Sequence, residues 1–99
     1  MMTKAGYVYI LASKKDGVLY VGVTSDLAGR IWEHKNDAAP GFTKRYGVKT
    51  LVWYDHFDRI ADAIDEEKRI KRWRREWKIQ LIEERNPDWR DLYDEVSLM

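Results

Sequence analysis

Three observations predict a mixed α/β (α+β) fold. Two strand-like runs rich in Val, Ile and Tyr open the chain, a helical pattern follows them, and a third strand precedes a long second helical pattern. The chain has 99 residues, 44% of them apolar and 13% aromatic. That is enough for one modest core and too little for two, so a single domain over residues 1–99 is expected.

Residues 6 to 12 and 18 to 23 alternate in the manner of strands, and Lys14-Lys15-Asp16-Gly17 between them supplies turn chemistry, so the pair reads as a β-hairpin. Tyr7, Tyr9 and Leu11 share one face of the first strand, and Val18, Tyr20 and Gly22 share one face of the second. Tyr9 and Tyr20 lie on the same side of the sheet if odd positions pair with even ones; a slip of one residue separates them. Thr24-Ser25-Asp26 offers N-cap candidates for a helix from Leu27 to about Lys35, on which Arg30 and His34 are neighbours one turn apart. Asn36 to Val48, with Pro40-Gly41 and Tyr46-Gly47, reads as a loop. Its Lys44-Arg45-Tyr46 suits phosphate and base contacts, as well as ordinary solvation. A strand is expected at about Thr50 to Tyr54.

From Arg59 to about Arg85 the pattern is helical, with an apolar stripe through Ile60, Ala63/Ile64, Ile70, Trp73, Trp77 and Leu81, and it reads as one helix or as two with a bend around Trp73 to Glu76 that the sequence does not locate. Glu67 falls on that stripe, whereas Glu66 points elsewhere. A carboxylate on a core-facing stripe is costly unless it is paired, hydrogen-bonded or bound to a metal. Asn86-Pro87 ends the helix, and the aromatics of residues 88–93 are expected to pack back on the domain.

Cysteine is absent, which excludes disulfides and thiolate metal sites and suits a cytoplasmic location. The first residues carry no signal-like apolar run, and no stretch reaches membrane-spanning length. The formal net charge is only +1, but its distribution is uneven. Between Lys68 and Lys78 seven basic residues face one acid, and between Glu83 and Glu95 six acids face two arginines. The basic run fits either a polyanion-binding face or a solvated helix surface. There is no zinc-type ligand spacing, phosphate-cradling glycine loop or nucleophile elbow.

Phosphodiester hydrolysis needs a group to take a proton from water, a cation at the phosphate and commonly a divalent metal. Tyr7, Tyr9 and Tyr20 are candidates for the first role, although an ordinary phenol, with a pKa near 10, needs positive charge beside it to act as a base at neutral pH. Arg30 suits the phosphate. Glu67 suits Mg²⁺ or Mn²⁺ as a single oxygen ligand.

The order and spacing of these residues resemble the GIY-YIG nuclease superfamily, specifically its small single-domain bacterial members similar to the N-terminal nuclease module of the excision-repair nuclease. Val8-Tyr9 stands where the family has Ile-Tyr, with Tyr7 in place of the glycine, and Tyr20-Val21-Gly22 matches YIG. Arg30, His34, Glu67 and Asn86 fall at the family's arginine, histidine, metal-binding glutamate and late asparagine, and the similarity runs from about Gly6 to Tyr93. The resemblance implies a short, mainly antiparallel three-stranded sheet flanked by helices. It also implies a divalent-metal-dependent endonuclease acting on DNA, in repair or recombination, with Tyr9, Tyr20, Arg30, His34 and Asn86 catalytic and Glu67 on the metal. Lys44, Arg45, Lys68, Arg72 and Arg75 are the expected nucleic-acid contacts, and a protein partner is expected to supply specificity. The competing reading is a nucleic-acid-binding or partner-docking domain with little cleavage of its own.

Overall fold

The computed structural model describes residues 4–98. Strands β1 (Gly6–Ala12) and β2 (Leu19–Thr24) form the expected hairpin. The Ser13 amide bonds to the Val18 carbonyl at 3.0 Å, and Asp16 adopts φ 60° in the turn. Pairing is antiparallel with Tyr9 opposite Gly22 and Leu11 opposite Tyr20, the odd-with-even register that keeps Tyr9 and Tyr20 on one face. Strand β3 (Thr50–Phe57) runs three residues past its expected end and pairs antiparallel with the other side of β1, giving the order β2-β1-β3. Ile10 faces Trp53 while Leu11 faces Leu51, so Val52 is the extra residue of a bulge.

Helix α1 (Leu27–Lys35) starts where its cap predicts, with the Asp26 carboxylate accepting from the Gly29 amide at 3.1 Å. The segment expected to be wholly loop contains a single helical turn, α2 (Phe42–Tyr46). Its two glycines, which read as turn signals, are its caps: Gly41 enters at φ 102° and Gly47 leaves in the left-handed region at φ 64°.

The long helical pattern is two helices, α3 (Ile60–Lys71) and α4 (Arg75–Arg85). The break lies at Arg72 to Arg74: α3 tightens as the Arg72 and Trp73 amides reach back three residues, and Arg74 is extended. This break resets the helical phase. Ile82 becomes the buried residue of α4, while Trp77, expected on the core stripe, is 48% exposed. Asn86 caps α4, and beyond it Trp89, Leu92 and the short helix α5 (Tyr93–Val96) fold back as expected.

Two apolar clusters result, one on each face of the sheet. Val8, Ile10 and Val21 pack with Ala63, Ile70 and Ile82 of α3 and α4. Tyr9, Leu11 and Leu51 pack with Leu27 and Ile31 of α1 and Val96 of α5. Gly6 permits the close seating of α3, since a Cβ there would lie 2.9 Å from the Ala63 Cβ. The outer edge of β3 is covered: the carbonyls of Leu51, Val52 and Tyr54 accept from the Leu92 amide, the Asn86 amide group and Arg85. No helix among the described residues is long and apolar enough to cross a membrane.

Candidate active site

Tyr9, at the centre of β1, is 2% exposed and lies over Gly22, where any side chain would overlap its ring and hydroxyl. The third residue of Tyr20-Val21-Gly22 is therefore the seat of the Tyr9 ring. The hydroxyl of Tyr9 is 3.1 Å from Nε2 of His34, whose Nδ1 is 2.9 Å from Oγ1 of Thr43. Burial pushes the Tyr9 hydroxyl far above the ordinary tyrosine range, with the neighbouring Tyr20 adding to the effect and Arg30 opposing it. Burial, seconded by Arg30, holds the His34 imidazole below its usual value. In a neutral imidazole one ring nitrogen donates and the other accepts, and the two hydroxyls, each able to do either, satisfy both.

Tyr20 sits above this buried chain, half-buried, with its ring centroid 5.7 Å from His34 and 6.3 Å from Tyr9. It lines an open cleft of about 160 Å³ together with Arg30, Glu33, His34, Phe42 and Thr43. Arg30 is exposed at the cleft, near enough for its charge to act on both Tyr9 and His34. Glu67 approaches from α3: its side chain is 12% exposed, its charge bears on Tyr9, and it pairs with Lys71 at 3.0 Å. The Lys71 ammonium also stands 5.9 Å from the centre of the Tyr20 ring, so Glu67 approaches the cleft through its ion-pair partner and does not itself line it. Glu66 points away, as its spacing predicts. It forms a two-pronged pair with Arg69 at 2.6 and 2.7 Å, which holds its carboxyl below the usual range.

The structure thus brings together Tyr9, Tyr20, Arg30, His34 and Glu67, with Tyr9 beneath the cleft rather than on its wall. Tyr7 lies elsewhere, edge-on to His56 at 5.1 Å and beside Ser25 to Ala28. Asn86 is not among the residues that line the cleft. It is buried, and its amide donates to the carbonyls of Val52 and Arg90 and accepts from the Arg90 amide, so backbone demand fixes it among the residues packed under α4. Arg75, exposed, donates to the carbonyls of Asp16 and Gly17 at 2.6 and 2.7 Å and so holds α4 to the hairpin turn. Lys44 and Arg45 are exposed on α2, and Lys68 and Arg72 are exposed with no ion pair among the described residues.

Four contributors are added by the structure. Thr43 orients His34, Glu33 lines the cleft, Lys71 neutralises Glu67, and Phe42 stacks on Tyr20 at 6.2 Å. Lys71 was detectable in the sequence as an i, i+4 partner of Glu67, but nothing local marks Thr43 or Phe42. Among the described residues no three His, Cys, Asp or Glu side chains cluster to hold a metal. Glu67, largely buried and paired with Lys71, would offer one oxygen to a hard cation that keeps most of its waters, such as Mg²⁺ or Mn²⁺, and does not fit a metal that needs an all-protein cage.

Residues 5–80 match the GIY-YIG catalytic domain. A UPF0213 protein of Staphylococcus saprophyticus is 37% identical over 78 residues, 79% of this chain and 94% of its own length. One from Clostridium perfringens is 35% identical over 92 residues, 93% and 98% of the two chains, and one from Haloquadratum walsbyi is 37% identical over 78 residues, 79% and 86%. No solved structure matches the chain. The family match spans the hairpin, the Arg30–His34 helix and Glu67, the same elements that build the cleft, and the chain belongs to the GIY-YIG nuclease superfamily.

Proposed function

We propose that the protein is a divalent-metal-dependent endonuclease that hydrolyses phosphodiester bonds in DNA, with Tyr20 as the group that takes the proton from the attacking water. The observation that carries this reading is the division of labour between the tyrosines. Tyr9 is sealed from solvent and bonded to His34, whereas Tyr20 is half-exposed on the cleft wall, beside Arg30 and within reach of the Glu67–Lys71 pair. Arg30 binds the phosphate through its planar fork. Glu67 holds Mg²⁺ or Mn²⁺, which when bound polarises a phosphate oxygen and adds positive charge where the transition state becomes more negative. The Tyr9–His34–Thr43 chain keeps the imidazole neutral and fixed in orientation under the nucleophile's position.

Phe42 and Tyr46 of α2, 46% and 49% exposed with rings 4.8 Å apart, continue the aromatic surface outward from Tyr20, and Arg45 stands over Tyr46. Such a ladder stacks unpaired bases, so the reading favours strands that are single-stranded beside the scissile phosphate. The test is Mn²⁺-dependent cleavage of single-stranded, duplex and branched DNA by the wild type and Glu67→Gln. Activity in the wild type that vanishes in the variant, with its melting temperature preserved, is the expected result. Full cleavage by Glu67→Gln would remove the metal-ligand role.

A further inference from the structure

The break between α3 and α4 exposes a second aromatic surface, distinct from the cleft. Trp73 and Trp77 meet edge to face with centroids 6.2 Å apart, and Gln80, Leu81 and Glu84 extend the groove along the outward side of α4. Each indole carries a guanidinium: Arg69 lies 5.0 Å from the Trp73 ring centre, and Arg74 lies 4.9 Å from that of Trp77. Trp77 is 48% exposed, a large apolar surface that the fold does not use.

We propose that this groove is a second nucleobase-stacking site, holding unpaired nucleotides of the same strand whose phosphate enters the Tyr20 cleft; the site extends the nuclease reading given above. Charge selects the occupant. The groove begins within the run Lys68–Lys78, which has seven cations and one acid; Arg69 is already paired with Glu66, but an apolar protein surface laid there would desolvate Arg74 without replacing its water. A nucleic acid strand satisfies both halves of the surface: its bases stack on indole and guanidinium planes, and its phosphates meet the cations. Position supports the same occupant. Lys71, the last residue of α3, reaches the Tyr20 ring, and Trp73 follows it in the corner that leads to α4. The proposed strand leaves the cleft past Lys71 and turns this corner onto Trp77, and Glu84 lies at the far end of the groove with a charge that repels phosphate.

Binding of an oligothymidylate of about 16 nucleotides, the upper range of single-strand site sizes, is measured by anisotropy in metal-free buffer, where no cleavage intervenes. A duplex of the same length runs alongside, and Trp77→Ala and Trp77→Phe are compared with the wild type after thermal melts verify folding. Trp77→Ala is expected to weaken the single strand about tenfold, the loss of one base–aromatic stack, with duplex affinity unchanged and Trp77→Phe restoring most of the loss. Undiminished single-strand affinity in Trp77→Ala overturns the proposal, and so does an equal loss on duplex, which reduces the groove to general electrostatics. Loss of concentration-dependent self-association with oligonucleotide affinity intact also overturns it, in favour of a second copy of the chain. Because the assay contains no metal, failure of the nuclease reading appears separately, in the cleavage experiment.

Discussion

Replacing Gly22 by alanine tests the geometry on which the site rests. A methyl group at Gly22 would overlap the Cζ and hydroxyl of Tyr9. That ring is 2% exposed, and its hydroxyl is held by His34 at 3.1 Å, so it has nowhere to swing. Overpacking of this kind costs about 1–3 kcal/mol. Displacing Tyr9 leaves the buried Nε2 of His34 without its hydrogen-bond partner, a further penalty of about 1–3 kcal/mol. Alanine offsets roughly 0.5–1 kcal/mol of this, because it loses less entropy than glycine in a strand. A net loss of about 3 kcal/mol lowers the melting temperature of a domain this size by roughly 12–24 °C. Circular-dichroism melts measure it, and Tyr9→Leu in the same chain should relieve the overlap, giving a coupling energy in a double-mutant cycle. If Gly22→Ala melts at or above the wild type, strand propensity governs the position and Tyr9 is not seated as described.

Three further outcomes follow from the same geometry. His34 is held neutral by burial, so its contribution to stability is fully present above its unfolded value of about 6.5 and is lost as pH falls through its lower folded value; melts over about pH 5 to 8 should show an acid-side decline that His34→Gln abolishes. Asn86→Ala should lower the melting temperature by at least about 8 °C, since it strands the buried carbonyl of Val52 and the part-buried backbone groups of Arg90 at about 2–4 kcal/mol, while the cleavage rate per folded molecule is retained; selective loss of cleavage with normal stability would show a catalytic role instead. Neutralising Lys68 and Arg72 to Gln should make the salt dependence of single-strand binding shallower by about 0.7 per charge removed, and an unchanged slope would assign both residues to solvation.

What the sequence revealed about the site follows the range of the forces involved. The α1 helix with Arg30 and His34 was legible because a cap at Asp26 and a four-residue spacing are local. Glu67 was legible as a charge violating an apolar stripe, and its side chain is indeed largely buried and paired. The phase of α4 was not legible, because a three-residue break at Arg72 to Arg74 rotates everything after it and moves Trp77 from expected core to open groove. Helix α2 escaped because glycine signals a turn and a helix cap with the same residue. Asn86 was legible only by its place in a motif; its bonds to the backbone of Val52 and Arg90 were not, because the fold alone brings those groups to it.

The position of the cleft on the sheet explains why such distant residues meet. A three-stranded sheet has two edges, and here they are treated differently: the β3 edge is covered by Asn86, Leu92 and Arg85, whereas β2 remains the strand around which the site is built. Helices α1 and α3 lie on opposite faces, so side chains from the two would be separated by the sheet anywhere in its middle. At an edge strand they are not. Lys71 comes from the face of Val8 and Ile10, yet stands over Tyr20, whose ring belongs to the face of Tyr9 and Leu11. The same crossing brings the carboxylate of Glu67 within electrostatic range of Tyr9, so the proposed metal ligand from one layer serves the proposed proton acceptor and an arginine from the other. A site assembled across an edge also stays open on its outer side, which is the access a long polymer requires and an enclosed pocket denies.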